Sequence, residues 1–440
     1  SAGKILSGTY TGTKDSDALF ETFRKEPQGF ASFNPSSYLA VGATSLVSGS
    51  IANLISNDAA YMNFRSYSST LQTDAFIAYR DSTGTLSTPK ERTWSGTNAT
   101  WSSQSDLPTA GSSVRWVRVA YCPLESRSYE KIVVTLSDDG YLDAYVWDGL
   151  TWIVTNNIAS TGTTANAYRC FDVAYEKTSG RALLVYSRGT TTNEIGYKIW
   201  TYGSGWGSEQ LLDLAYTTNR VYWVSLASCP GTRAGTNDDN EIALLYLDAN
   251  VDVYGFTWNG SAWGNMGATA VWDATAALST EECIAVAYEQ TTGEAMFIWA
   301  DATSTDFYYR TWDGAALSSN ALLDITAAGA AGNWVTLKAD PASDDLLFMV
   351  VDDGQDLNTA YWAGSGWVVH AEHDAAVDTD TQRPADFAWE PAGGKGLLVW
   401  GTTAGQIAYK TFTAPNTWGQ QQNPTMGANI HPWIQLRTNT

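Results

Sequence analysis

Beyond about residue 60 the chain alternates short apolar runs with clusters of Gly, Asn, Asp, Ser and Thr, and little of it has helical periodicity. The stretch from Phe171 shows the grammar. "FDVAYE" is a short apolar strand, "KTSG" a turn and "RALLVYS" a second strand. "RGTTTN" is a loop, "EIGYKIWTY" a third strand, "GSG" a tight turn and "WGSEQLL" a fourth strand. Runs that are β-branched or aromatic, alternating and bounded by turn formers predict strands joined as hairpins.

The unit repeats. Aligning "VRVAYC", "FDVAYE", "VSLASC", "IAVAYE", "VTLKAD", "ADFAWE" and "IQLRTN" places anchors at Ala120, Ala174, Ala227, Ala287, Lys338, Ala388 and Arg437. Successive anchors lie 54, 53, 60, 51, 50 and 49 residues apart, the longest interval absorbing the insertion "GTRAGTNDDNE". Four antiparallel strands per period of about 50 residues predict an all-β fold, a β-propeller.

A second ruler is an aromatic, a turn and a second aromatic between the third and fourth strands. It reads Trp94 with Trp101, Trp147 with Trp152, Tyr202 with Trp206 and Trp258 with Trp263. It continues as Trp312 with Leu317, Trp362 with Trp367 and Phe412 with Trp418. Seven hairpins argue for seven four-stranded blades over residues 59–440. "YMNFRS" then opens the first blade, and "WIQLRT" is a further copy of the innermost strand. That last copy either completes the first blade or starts an eighth. Residues 1–58 fit the repeat poorly and read as a strand-containing extension, with Lys4, Ile5, Leu6 and Tyr10 on a strand able to pair with a neighbour's sheet edge.

Charge narrows the partners. A net charge of −21 repels phosphate backbones, so nucleic acid is not expected. No run approaches a membrane helix in length, so no membrane insertion is expected. The opening "SAGKILSGTY" has neither Met nor a basic-then-apolar leader, which reads as an exported, N-terminally processed product at the cell surface or outside it.

Candidate chemistry is sparse. Cys122, Cys170, Cys229 and Cys283 are even in number, but Cys122 and Cys170 in adjacent blades lie about 20 Å apart along the strands, beyond disulfide reach, so four buried thiols are expected, with one rearranged bridge as the alternative. His370 and His373 sit three apart on a strand and point to opposite faces. Asp238 and Asp239 in "TNDDNE", and Asp352 and Asp353 in "DDGQD", have the composition of calcium loops without their spacing, so Ca²⁺ is the one cofactor candidate. No nucleophile motif, arginine triad or marked carboxylate pair stands out, and no enzyme is expected.

At "AYVWDGLTW" and "YGFTWNGSAW" the units resemble the blades of fucose-binding lectin propellers. The resemblance implies a propeller and a sugar held by an Arg, a Glu and an aromatic platform. The apolar second strands here, such as "KIVVTLS" and "RALLVYS", carry no repeated central Arg. The tryptophans therefore have two readings, packing between blades or a ring of sugar platforms. Substitution of Tyr, Phe or Leu within the motif keeps bulk and loses chemistry, as packing tolerates. The expected function is non-enzymatic assembly or adhesion, with other copies or other surface proteins as partners. A multivalent lectin binding glycans is the alternative, and a propeller glycoside hydrolase stands behind both.

Overall fold

A computed structural model describes residues 19–23, 63–66, 75–80, 85–95, 100–162, 167–189, 194–213, 219–233, 239–268, 271–277, 280–302, 306–325, 330–379, 382–424 and 434–438. Seven four-stranded antiparallel blades, with a two-stranded sheet between the last and the first, form a ring. They span residues 63–106, 114–160, 171–213, 221–264, 284–324, 332–374 and 385–418, here blades 1 to 7. In blade 3 the order is Phe171–Tyr175, Ala182–Ser187, Glu194–Thr201, and an outer strand broken into Gly205–Trp206 and Gln210–Asp213.

The second strands explain why their sequences do not alternate. Lys131–Ser137, Ala182–Ser187, Ile242–Asp248 and Ala295–Ala300 are buried at every position. Blades stand face to face, so a central strand meets a neighbouring blade on both sides and has no solvent face. Each fully buried Leu, Ile or Val there contributes about 1.5–3 kcal/mol.

Ring closure resolves the extra copy of the inner strand. Within the ring, blade 4 is tied to blade 3 by two inner-strand hydrogen bonds. Val224 N donates to Arg169 O at 3.3 Å, and Leu226 N donates to the Asp172 carboxylate at 3.1 Å. The strand Ile434–Thr438 repeats both bonds on blade 7: Ile434 N to Arg383 O at 3.0 Å, and Leu436 N to Asp386 Oδ2 at 2.7 Å. It therefore occupies the inner-strand place that follows blade 7, and its other side packs on the inner strand of blade 1. Its sheet partner is Leu19–Phe23, paired parallel, with Leu19 opposite Ile434 and Phe23 opposite Thr438. Among the described residues this position holds two strands.

The central channel is lined with charge. Arg169 and Arg118 meet Glu282 and Asp172, with Arg118 to Asp172 at 3.3 Å and Arg118 to Glu282 at 3.7 Å. Burial alone would raise the Glu282 carboxyl, but the guanidiniums of Arg169, Arg118 and Arg383 outweigh it and hold it below the usual range. Acids and arginines thus converge here, as a hydrolase would need, yet they are buried and paired with one another.

All four cysteines are free and buried, and burial pushes the Cys170 thiol up to about 12. His370 faces solvent, whereas His373 lies in the core on Thr359 Oγ1 at 2.8 Å, its pKa pushed down to about 3 by burial and by Lys410. No described helix is long and apolar enough to cross a membrane.

Candidate functional site

The repeated hairpin is built by its turn. In "WDGL", "WNGS" and "WDGA" the first turn residue folds back, with Asp148 Oδ1 accepting Leu150 N and Thr151 N, Asn259 Oδ1 accepting Ser261 N and Ala262 N, and Asp313 Oδ1 accepting Ala315 N and Ala316 N. The following Gly149, Gly260 and Gly314 take φ of 100°, 91° and 93°, a backbone that only glycine adopts without strain. This turn sets Trp147 directly across from Trp152 and Trp258 across from Trp263, with centroids 5.4 and 5.5 Å apart; Trp94 on Trp101, Trp362 on Trp367 and Phe412 on Trp418 pair in the same way at 5.7, 5.5 and 4.7 Å. Trp312 faces Leu317.

Tyr202 is not the blade 3 member of this set. The residue opposite Trp206 is Trp200, at 5.7 Å, because this hairpin holds five residues between its paired aromatics where "WDGLTW" holds four. Tyr202 projects from the turn, half-exposed, under the Arg127 guanidinium at 5.0 Å.

The inner member of each pair is structural. Trp94, Trp200, Trp258, Trp362 and Phe412 are buried; Trp147 and Trp312 are half-buried. Four of them donate their indole N–H to a glutamate of the preceding blade. Trp200 donates to Glu130 at 3.1 Å, Trp258 to Glu176 at 2.7 Å, Trp312 to Glu241 at 3.3 Å and Trp362 to Glu289 at 2.7 Å. Three of these glutamates also hold an arginine: Arg127 on Glu130 at 3.3 Å, Arg181 on Glu176 at 2.8 Å and Arg233 on Glu241 at 3.1 Å. Each arginine then reaches the next blade, donating to Gly180 O at 2.8 Å, Gly260 O at 2.5 Å and Gly293 O at 2.5 Å respectively. The result is a Trp–Glu–Arg clamp across each of these blade junctions.

Above the clamps lie aromatic slots made by the outer tryptophans. Between blades 3 and 4, Tyr197 stands edge-on to Trp258 at 5.6 Å and to Trp263 at 5.8 Å. Between blades 5 and 6 the same figure recurs, Tyr309 to Trp362 at 5.7 Å and to Trp367 at 5.9 Å. Tyr197, Trp263, Tyr309 and Trp367 are each partly exposed, as are Trp101, Trp152, Trp206 and Trp418. The slot between blades 1 and 2 is already filled. Lys131 Nζ sits 4.8 Å from Phe76, 5.0 Å from Trp147 and 5.6 Å from Trp152, and burial lowers its pKa to about 8.

The remaining expected residues divide as follows. Lys4, Ile5, Leu6, Tyr10 and Asp238 lie outside the described residues. Asp352 is buried and closes its own loop, accepting Gly354 N at 2.9 Å, Asp356 N at 2.8 Å and Ala330 N at 3.2 Å; Asp353 is exposed. Asp239 O accepts Thr178 N from the neighbouring blade. Among the described residues no group of three or more His, Cys, Asp or Glu gathers to hold a metal.

Sequence reasoning missed the clamp acids, and a signal for them existed. In "FDVAYE" and "IAVAYE" an acid stands two residues after the anchor, and these are Glu176 and Glu289. Where that place is Cys122 or Cys229, the acid comes from across the strand pair, as Glu130 and Glu241, whose carbonyls accept Cys122 N and Cys229 N.

No family model matches the chain, and no curated protein matches it. Solved structures do. The BP39L lectin from Burkholderia pseudomallei superposes with a TM-score of 0.57 at 10% identity, covering 83% of this chain and 99% of that one. A fungal lectin of Aleuria aurantia, described as a six-bladed β-propeller with a fucose recognition mode, gives 0.43 at 14% identity over 71% of this chain and 95% of its own. AofleA from Arthrobotrys oligospora gives 0.43 at 11% identity over 72% and 86%. At these identities the likeness is one of fold. The chain is a β-propeller, similar in fold to the BP39L lectin.

Proposed function

We propose that the protein is a non-enzymatic carbohydrate-binding propeller that presents weak, repeated sugar sites at its blade junctions. The observation that carries this reading is the recurrence of one open aromatic figure, Tyr197–Trp258–Trp263 and Tyr309–Trp362–Trp367, with matching distances at two junctions. Packing alone is served by the buried tryptophans and their clamps. The partly exposed Tyr and outer Trp add a surface of the kind that sugar faces stack on, with a hydroxyl at its edge. The lectin described for Burkholderia pseudomallei, similar in fold, supports it. Repetition around the ring converts weak single sites into avidity. An extracellular or cell-surface setting, where glycans are displayed, goes with this reading.

The test is a glycan array probed with the intact chain and with Tyr197→Ala and Tyr309→Ala combined. A bound glycan class lost about tenfold or more in the double variant, with the melting temperature within a few degrees of the parent, is the expected result. An array with no retained glycan, or binding indifferent to both tyrosines, overturns the reading.

Assembly or adhesion is the second reading, supported by a different observation: the ring is closed by a sheet made from two distant parts of the chain.

A further inference from the structure

We propose that the ring-closing position is a self-assembly joint, in which Leu19–Phe23 of one copy pairs with Ile434–Thr438 of the next. This rests on the assembly reading above and names its partner, a second copy of this chain. Three observations lead there.

First, Ile434–Thr438 is an integral inner strand. Its two hydrogen bonds to blade 7 duplicate those between full blades, and Ile434 and Leu436 are fully buried. The place is a real blade position, not a loose tail.

Second, the position is smaller than a blade among the described residues. A complete blade has four strands, and this one has two among the described residues. Trp94, the blade 1 counterpart of Trp258, has a buried Nε1 with no acceptor among the described residues, and both amide atoms of Gln435 are buried in the same state. Elsewhere the glutamate for such an indole comes from the preceding blade.

Third, the partner strand is of a different kind from every other. In the seven blades, each second strand follows its first through a local connection and pairs antiparallel. Leu19–Phe23 pairs parallel with a strand more than 400 residues away, across the whole ring. No short loop fixes it to its own copy. Residues 24–62 separate it from blade 1, and 39 extended residues reach about 130 Å, enough to serve an adjacent ring. Exchange of an element with an identical site on a neighbour is a low-cost route to oligomers. Giving one strand and receiving another is a head-to-tail contact, so it propagates into chains unless the rotation closes.

The register supplies the experiment, since Phe20 lies opposite Gln435. Two full-length chains distinguishable by size are mixed, one carrying Phe20→Cys and the other Gln435→Cys, and oxidised at about micromolar concentration. The expected result is a disulfide-linked band at the summed mass. In the double variant Phe20→Cys/Gln435→Cys, ladders of linked copies are expected on a non-reducing gel. A double variant that locks only within single chains overturns the exchange, and absence of any disulfide overturns the pairing. Mass photometry of the intact chain and of a form lacking residues 1–23 separates the two levels. Assemblies reduced to single rings by the deletion support the joint. Assemblies that survive it leave the assembly reading standing and remove this joint. Single rings in both samples overturn assembly as well, without touching carbohydrate binding.

Discussion

The junction between blades 3 and 4 and the junction between blades 5 and 6 are near copies in their aromatic parts and differ in one charge. Both place a Tyr edge-on to a tryptophan pair, and both send an indole N–H to a buried glutamate at 2.7 Å. At the first, Arg181 holds Glu176 and crosses to Gly260. At the second, the residue five places after Glu289 is Glu294, and the second carboxylate oxygen keeps only the hydroxyl of Thr292, the counterpart of Ser179 on Glu176. Without a cation, burial pushes the Glu289 carboxyl up to about 7, with Glu294 and Asp344 adding to the rise. One acid is therefore paired with a cation and the other is not, its carboxyl about half protonated at neutral pH. The shared part is the bond from Trp to carboxyl; the arginine is an addition at the first junction.

The largest effect that separates them is removal of the acid. Glu176→Ala strands the Trp258 N–H in a buried site and releases Arg181, and is expected to lower stability by about 3 kcal/mol. Glu289→Gln keeps an acceptor for Trp362 and removes a proton that was already half bound at neutral pH. It is expected to cost under about 1 kcal/mol. Urea unfolding of both variants at pH 7 checks the pair, and equal losses would erase the distinction between the junctions.

A third junction sharpens the rule from the other side. Between blades 6 and 7 the aromatic is Phe412, which has no N–H, and the acid is Asp340. That shorter carboxylate turns to backbone instead, accepting Ala342 N at 2.8 Å and Gly394 N at 2.5 Å. Phe412→Trp should therefore cost about 1–3 kcal/mol, from crowding and an unsatisfied donor. Adding Asp340→Glu should recover part of it. Thermal melts of the single and double variants decide; an additive double variant would show that Trp and Glu are not a unit.

These junctions also show what was legible in the sequence. The period, the strands and the blade count followed from anchors and hairpins, because turn chemistry and apolar runs are local. "WDGL" and "WNGS" mark their turns through one Asp or Asn and one Gly. The Tyr202 assignment failed for the same local reason, since this hairpin holds five residues between its paired aromatics instead of four and hands the position to Trp200. The repeat marked two of the clamp acids, Glu176 and Glu289, but their Trp and Arg partners were not legible, since the members of a clamp sit in different blades. Ring closure was only half legible. The last inner strand could be recognised by pattern, but its parallel partner, in a stretch without repeat, carries no mark of the strand it meets.

The finest test of the comparison is to move the missing charge. A carboxyl whose pKa is higher in the folded state favours folding while protonated. The contribution of Glu289 is thus fully present below about 4.5 and is lost as pH rises through about 7. The junction between blades 5 and 6 should weaken across that window. Glu294→Arg places a guanidinium where Arg181 stands in blade 3, on a turn of the same form: Glu289 N donates to Glu294 O at 2.8 Å, as Glu176 N does to Arg181 O at 2.7 Å. The arginine should pull the Glu289 pKa back toward the ordinary range and give the fold a cation to pair at neutral pH. Other titrating groups are common to both proteins, so the difference in their melting profiles isolates this pair. The variant and the parent should be close near pH 5 and diverge by about 1 kcal/mol in the variant's favour by pH 7.5. A gap constant with pH would show that Glu289 does not titrate in this window, and that the arginine is not what separates the two junctions.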